Sequence, residues 1–176
     1  CHKSILHAII MTGAIPIYLT GSRNDYGIIG PIAHERFSGA QLAEQIANHP
    51  LLEGRDAPRI RLAVLTNSTY DGLCYNTDMI VEQLQDQVEV LHFDEAWFGY
   101  AAFHPFYHGR HGMSRSRPRA SGHPLLFATQ SPHKVLAALS QASIILARDS
   151  ADQQLDHERF NEAYMMHTST SPHYGM

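Results

Sequence analysis

Two ionisable side chains follow apolar runs at positions where strands of a sheet are expected to end. Lys134 comes shortly after the apolar run at residues 124–128, and Asp94 comes directly after the run at residues 88–93. In open α/β sheets, ligands bind in the crevice beyond the carboxyl ends of the strands. An amine and a carboxylate at neighbouring strand ends therefore predict a binding site for one cofactor.

The chemistry of this pair indicates which kind of cofactor the site would hold. A lysine amine can form an imine with an aldehyde, and a carboxylate beside a ring nitrogen keeps that nitrogen protonated. Pyridoxal 5'-phosphate needs a lysine amine for the imine, and its ring nitrogen is usually faced by an acidic group. On spacing alone a solvated lysine and a helix-capping aspartate are the commoner interpretations, so the surrounding sequence has to decide.

Alternating strands and helices are predicted to position these residues. Periodicity and capping signals predict helices at 2–11, 38–48, 77–87, 135–141 and 157–166, and strands at 15–19, 60–65, 88–93, 124–128 and 143–147. This alternation is typical of an α/β fold with a mostly parallel sheet and helices on both faces. Residues 99–123 lack such a pattern, and we interpret them as a loop or lid.

Composition excludes several classes of function. The 176 residues are 44% apolar and carry a formal net charge of −4, so one domain or part of one is expected, with no nucleic acid or membrane partner. Two cysteines do not form a disulfide framework, and a cytoplasmic location is expected. The longest apolar stretch is too short and too interrupted for a membrane span.

Several segments resemble the bacterial ornithine/lysine/arginine decarboxylases. They are His-Phe-Asp-Glu-Ala-Trp at 92–97, Ser-Pro-His-Lys at 131–134 and Ala-Leu-Ser-Gln-Ala-Ser at 138–143, together with Cys-His-Lys-Ser at 1–4, Thr-Asn-Ser-Thr-Tyr-Asp-Gly at 66–72 and the segment at 165–172. The resemblance runs essentially from end to end. It implies the aminotransferase-like (fold type I) large domain that binds pyridoxal phosphate, and decarboxylation of a basic amino acid to its amine and carbon dioxide.

The resemblance also implies roles for individual residues. Lys134 would bind the cofactor aldehyde, and Asp94 would face its ring nitrogen. The ring would lie between His2 and Ala96, while Ser131 and His133 match positions that contact the phosphate in the family. No metal ligand is implied.

One position in these segments departs from the family. Pro132 stands where the family usually has threonine, so one backbone donor is lost and φ is fixed.

Residues 1–176 are expected to be part of the cofactor-binding major domain, because family members are several times longer. An incomplete, inactive fragment is therefore one alternative, and transamination on the same cofactor is another. The segment 168–171 resembles residues near the neighbouring subunit's site, which implies a homodimer or higher homo-oligomer. The implied partner is a small basic amino acid, with lysine slightly favoured over arginine and ornithine.

Two other features of the loop could indicate binding functions. His104, His108 and His111 have the spacing of a three-histidine metal site on a helix, although Pro105 and Gly109 disfavour a helix there. The basic run at 115–119 could contact nucleic-acid phosphates, but it lacks interleaved aromatic residues. A solvated basic loop is the preferred interpretation of both features.

Overall fold

A four-stranded sheet forms the centre of the chain. The computed structural model describes residues 2–54, 59–114, 118–138 and 142–168. Its strands are β1 (Ile60–Thr66), β2 (Val88–Asp94), β3 (Leu125–Gln130) and β4 (Ile144–Arg148), in the spatial order β1-β2-β3-β4. The β1–β2 and β2–β3 pairs are parallel, and the β3–β4 pair is antiparallel. The predicted α/β fold with a mostly parallel sheet is thus confirmed.

The register of the parallel strands brings their carboxyl ends to one level. Thr66, near the end of the ladder in β1, pairs with Asp94 in β2, and Asp94 pairs with Thr129 in β3. Residues that directly follow these three strands are therefore neighbours in space although they are far apart in sequence.

Within the described ranges five α-helices accompany the sheet, and most begin at a side chain that caps them. They are α1 (Lys3–Thr12), α2 (Gly39–Ala47), α3 (Thr77–Gln83), α4 (Pro132–Val135) and α5 (His157–His167). Ser38, Asn76 and Asp156 accept hydrogen bonds from backbone N–H groups in the first turns of α2, α3 and α5. Gly13, with a φ of 64°, ends α1 in the left-handed conformation that glycine adopts without strain.

The hydrophobic core lies around β2 and β3. Leu91, Phe93 and Ala128 are fully buried at 0% exposure, and Ile80 and Leu84 of the α3 segment pack in the same cluster. In contrast, α1 and α5 bury none of their residues. Several of their large apolar side chains are exposed, namely Leu6, Ile10, Met11, Tyr164, Met165 and Met166.

Two predicted elements are wrong. Residues 15–19 form no strand, because Pro16 removes a ladder donor and the run is only partly buried. The helix predicted at 135–141 instead spans Pro132–Val135 and ends where Leu136 turns to an extended conformation. Residues 139–141 lie outside the described part of the chain.

Three other elements differ in detail from their predictions. The α3 helix ends at Gln83, because Leu84 caps it and Asp86 turns with a φ of 57°. The strand predicted at 143–147 is displaced by one residue, to β4. Residues 99–114 and 118–123 contain no strand and no α-helix, only two short 3-10 helices at Ala101–Phe103 and Pro105–Tyr107. No helix in the described ranges is long and apolar enough to cross a membrane.

Leu91 offers a direct test of this core. We expect Leu91→Ala to lower the free energy of unfolding of the complete protein by about 2 to 5 kcal/mol, because it leaves a cavity between β1 and β3. Leu91→Met, which conserves volume, should cost less than about 1.5 kcal/mol. Urea unfolding curves of the two variants would measure these losses in the free energy of unfolding. Equal losses in both variants would contradict the packing assigned to Leu91.

Candidate active site

Asp94 is the last residue of β2 and is half-buried at the carboxyl edge of the sheet. Its Oδ1 accepts a hydrogen bond from the N–H of Ala96 at 3.3 Å, which closes a short turn after the strand. Its main-chain carbonyl accepts a hydrogen bond from the N–H of Asn67 at 2.7 Å, which joins it to the end of β1. The carboxylate is thus held at a fixed place beyond the strand end.

His92 lies two residues before Asp94 and, by the alternation of a strand, on the same face of the sheet. Its Nε2 and the Oγ1 of Thr129 in β3 share a hydrogen bond of 3.0 Å. Burial lowers the pKa of His92, and the nearby Asp94 carboxylate partly offsets this effect. A mostly neutral imidazole therefore fills the sheet face behind Asp94.

Lys134 is in α4, four residues beyond the end of β3, and its side chain is exposed. Its Nζ lies over the indole ring of Trp97, 5.4 Å from the ring centroid, which is within the range of a cation–π contact. The ring of Tyr70 meets Trp97 edge-on, with the centroids 4.9 Å apart. The amine after β3 is thereby brought to the turn that follows Asp94 in β2.

Ser131, Pro132 and His133 form the connection between β3 and Lys134. Pro132 is buried and occupies the first position of α4, where a backbone N–H would have no partner within the helix. Nδ1 of His133 lies 2.7 Å from the carbonyl of Ala142, so the ring donates from Nδ1 and presents Nε2 elsewhere. Pro132 therefore fits the local backbone, and His133 links the start of the connection after β3 to Ala142, which lies shortly before β4.

His2 makes its described hydrogen bonds within its own segment of the chain. It is exposed at the start of α1, where its Nδ1 accepts from the N–H of Ser4 at 3.3 Å and shares a 2.9 Å hydrogen bond with the Ser4 hydroxyl. Ala96, by contrast, lies half-buried in the Asp94 turn. The structure thus brings Lys134 to the turn that contains Asp94, Ala96 and Trp97, and the roles implied for these residues and for His2 stay predictions.

The carboxyl group of Glu95 is the buried feature that sequence reasoning missed. Glu95 is fully buried, and its Oε1 accepts hydrogen bonds from Asn67 Nδ2 at 3.0 Å and from the N–H of Gly112 at 2.6 Å. Its Oε2 accepts from Gln130 Nε2 at 3.2 Å. We call these four residues the Glu95 network. It connects the ends of β1, β2 and β3 with the loop.

The electrostatics of Glu95 follow from its burial. Loss of hydration raises its pKa from the ordinary 4.5 to about 7, although the hydrogen bonds from Gly112, Gln130 and Asn67 oppose the rise and the Asp94 charge adds slightly to it. Near neutral pH both protonation states are therefore populated. A sequence signal for this existed only in the adjacent pair of acidic residues, Asp94 and Glu95.

The loop at 99–123 is fixed to the domain by several hydrogen bonds. The hydroxyl of Thr77 donates to the carbonyls of Gly109 and His111, at 3.1 and 2.9 Å, and the N–H of Gly109 donates to Ser114 Oγ at 2.9 Å. Asn67 Nδ2 also donates to the carbonyl of Arg110 at 3.0 Å. The segment before residue 115 therefore packs against the site from the side of α3 and β1.

The histidines of this loop do not form a metal site in the geometry observed. His104 Nδ1 accepts from the N–H of Phe106, and no group of three or more His, Cys, Asp or Glu residues in the described ranges is arranged to hold a metal ion. Residues 115–117 of the basic run lie outside those ranges. Arg119, which follows them, donates to the carbonyl of Pro124, and burial lowers its pKa to about 10.

Together, the fold and the site define a class of protein. A mostly parallel α/β sheet with a carboxylate and a lysine amine beyond adjacent strand ends is typical of domains that bind ligands at the carboxyl edge of the sheet. Comparison with known proteins then gives the family.

The family model described as "Orn/Lys/Arg decarboxylase, major domain" matches residues 1–176, and the chain belongs to this family of enzymes. A lysine decarboxylase of Pseudomonas aeruginosa is 62% identical over all 176 residues, which are 23% of that protein. The biodegradative arginine decarboxylase of Escherichia coli is 45% identical over the same length, again 23% of that protein. The predicted family is confirmed, and the chain spans about a quarter of these relatives.

A solved structure supports the same assignment. That of lysine decarboxylase A from Pseudomonas aeruginosa superposes with a TM-score of 0.89 at 62% identity, over 98% of this chain and 23% of that one. The overall fold of this chain is therefore shared with a protein of 62% sequence identity.

Glu95 leads to a prediction about the pH dependence of stability. The unfolded chain has the ordinary carboxyl pKa, so between about pH 4.5 and 7 the folded protein binds a proton that the unfolded chain has released. Stability therefore falls as the pH rises through this window. Glu95→Gln removes the titration. From pH 5 to pH 8 its free energy of unfolding should rise relative to wild type by roughly 2.5 kcal/mol.

Urea unfolding of the complete protein at several pH values measures this difference. Glu89→Gln is the matched control, because Glu89 is on the same strand but pairs with Arg59 and Arg61 at the other end. Its curve should run parallel to that of wild type. A Glu95→Gln curve that also runs parallel would show that Glu95 titrates normally.

Proposed function

We propose that the protein containing this chain decarboxylates a basic amino acid to the corresponding amine and carbon dioxide, with pyridoxal 5'-phosphate as cofactor. The observation that carries the proposal is the approach of Lys134, after β3, to the Trp97 ring three residues beyond Asp94 of β2. Membership of the decarboxylase family supports the reaction class. The activity is proposed for the complete protein, because this chain spans 23% of its relatives.

The residues present suit the proposed cofactor. The exposed amine of Lys134 can reach an aldehyde, and the half-buried Asp94 carboxylate is held at the end of β2 by the turn to Ala96. When bound, pyridoxal phosphate supplies an electron-accepting ring that stabilises the charge left on the α-carbon as carbon dioxide departs. Both groups that the chemistry requires from the protein are therefore available.

Each side chain has a separate task in this proposal. Lys134 binds the cofactor covalently through Nζ, and Asp94 keeps a proton on the ring nitrogen through its negative charge. Ala96 and His2 flank the ring, and Ser131 and His133 bind the phosphate, as the family resemblance implies. Because Nδ1 of His133 donates to the carbonyl of Ala142, its contact with the phosphate would be made by Nε2.

Lysine is the substrate that we favour among the basic amino acids. The similarity to the lysine decarboxylase of Pseudomonas aeruginosa, at 62% identity, exceeds the 45% to the arginine enzyme of Escherichia coli. Loss of a carboxylate as carbon dioxide consumes a proton, so the reaction would raise the pH of its surroundings. A homodimer or higher homo-oligomer in the cytoplasm is the proposed setting, on the resemblance and on cysteine usage.

The covalent role of Lys134 can be tested with an internal control, because Lys3 is the one other lysine among the 176 residues. Borohydride reduction of the complete protein loaded with pyridoxal phosphate, followed by digestion and mass spectrometry, should place the label on Lys134. Lys134→Ala should lose this label and the activity, whereas Lys3→Arg should keep both. A label on another residue would end the proposal.

The same preparation tests the reaction. Incubation with lysine, arginine and ornithine should release carbon dioxide and an amine, with lysine turned over fastest. A keto acid product would instead identify a transaminase.

Asp94→Asn should separate binding from chemistry. The amide is isosteric and keeps the Ala96 contact, but it cannot hold a full negative charge against the ring nitrogen. We expect kcat to fall by about 100-fold or more, with cofactor occupancy largely retained. Glu89→Gln again serves as the control on β2. Unchanged kcat in the Asp94 variant would remove this residue from the proposed site.

A further inference from the structure

The peptide unit of Glu95 is immobilised on both sides, in addition to its side chain. Its N–H donates to the carbonyl of Thr129 in β3 at 2.9 Å, and its carbonyl accepts from the N–H of Phe98 at 2.8 Å. Asp94 precedes this residue directly, and Trp97 follows two positions later. Any movement of Glu95 would therefore shift both the Asp94 carboxylate and the Trp97 indole ring that contacts Lys134.

The hydrogen bonds to the Glu95 carboxyl come from three separate chain segments. Asn67 follows β1, Gln130 ends β3, and Gly112 belongs to the loop at 99–123. The 2.6 Å contact from Gly112 is short, as expected when an ionised acceptor strengthens the bond. These contacts make the side chain of Glu95 a direct link between the strand ends and the loop.

The charged and titratable groups around Glu95 are few. Asp94 directly precedes it at the end of β2, whereas the contacts from the β1 and β3 sides are the neutral amides of Asn67 and Gln130. On the loop side, the half-buried His111 precedes Gly112, and burial lowers its pKa, with His108 adding to the effect and Asp78 opposing it. The carboxyl is thus satisfied by hydrogen-bond donors, and we assign it no ion-pairing role.

Close packing explains how the loop reaches this carboxyl. A Cβ atom at Gly112 would lie 2.7 Å from Cδ2 of Phe93, which is itself fully buried and cannot move aside cheaply. Glycine therefore allows the loop backbone to lie against the β2 side chain, and its N–H reaches Glu95 only because of this approach.

We propose that Glu95 is a positioning residue, whose buried carboxyl clamps the loop at 109–112 to the ends of β1, β2 and β3 and thereby fixes Asp94 and Trp97 around Lys134. Glu95 does not itself touch the reacting groups in this arrangement. The inference rests on the proposed function for its catalytic consequence, but the clamp itself is a property of the chain without cofactor.

Two variants of Glu95 test whether its hydrogen bonds, rather than the volume of its side chain, hold the loop in place. Glu95→Ala leaves the donors of Asn67, Gln130 and Gly112 without their acceptor. Glu95→Gln keeps an acceptor for Asn67 and Gly112, and the Gln130 amide can turn to present its oxygen. The alanine variant should therefore release the loop, and the glutamine variant should restore it.

The first measurement is backbone amide exchange in the cofactor-free complete protein, followed by mass spectrometry of peptides that cover 109–113. Glu95→Ala should exchange there at least roughly tenfold faster than wild type, because a buried set of donors loses its partner. Glu95→Gln and the control Glu89→Gln should stay within about threefold of wild type.

The second measurement concerns the site. The dissociation constant for pyridoxal phosphate should rise roughly tenfold in Glu95→Ala and stay within about threefold in Glu95→Gln. Turnover by the alanine variant at saturating cofactor should fall through kcat more than through KM, because Asp94 is displaced and the substrate contacts are not.

A further variant keeps the test decisive if Glu95→Ala does not fold. Gly112→Ala approaches the same hydrogen bond from the loop, where the added methyl group must push the backbone away from Phe93. It should reproduce the faster exchange at 109–113 while Glu95 is still present. Exchange at wild-type rates in Gly112→Ala, or equal rates in Glu95→Ala and Glu89→Gln, would overturn the clamp.

The two proposals fail in different ways. If wild-type protein forms no adduct at Lys134, the proposed function is wrong, and the exchange measurement on cofactor-free protein still decides the role of Glu95. If the adduct forms and only the Glu95 effects are missing, the decarboxylase proposal stands and the positioning role is rejected.

Discussion

The parallel register of β1, β2 and β3 is the constraint on which the candidate site depends. Because Thr66, Asp94 and Thr129 pair across the three strands, the segments that follow them start from the same edge. Side chains separated by tens of residues are thereby brought to one edge of the sheet. A shift of this register would separate the carboxylate from the amine and would also turn the buried face of β2 toward solvent.

Burial of an acidic group beside this edge costs free energy. Glu95 loses its hydration and lies next to a second carboxylate, yet three donors and two main-chain hydrogen bonds hold it in place. A hydrophobic residue there would avoid the penalty, but it could not bind the loop backbone. Buried polar networks of this kind fix one arrangement of segments where apolar packing would permit several.

The elements with strong periodic patterns were the ones that the sequence predicted well. The apolar runs of β2 and β3 and the capped starts of α2 and α3 are local signals, so Asp94 and Lys134 could be located from them. The direction of β4 could not be predicted, because the alternation of apolar and polar residues is the same in parallel and antiparallel strands. The buried hydrogen bonds of Glu95 could not be predicted either, since its partners Asn67, Gln130 and Gly112 are brought to it only by the sheet register.

The reversal of chain direction between β3 and β4 has a mechanical consequence for Lys134. Gln130 and Ile144 are paired neighbours, so the chain leaves the sheet after Gln130 and re-enters it beside that residue, and Nδ1 of His133 also contacts the carbonyl of Ala142. The segment that carries Lys134 is therefore anchored at both ends to neighbouring strands. Motions of more distant segments would reach the amine through β3 and β4 or through the Trp97 contact.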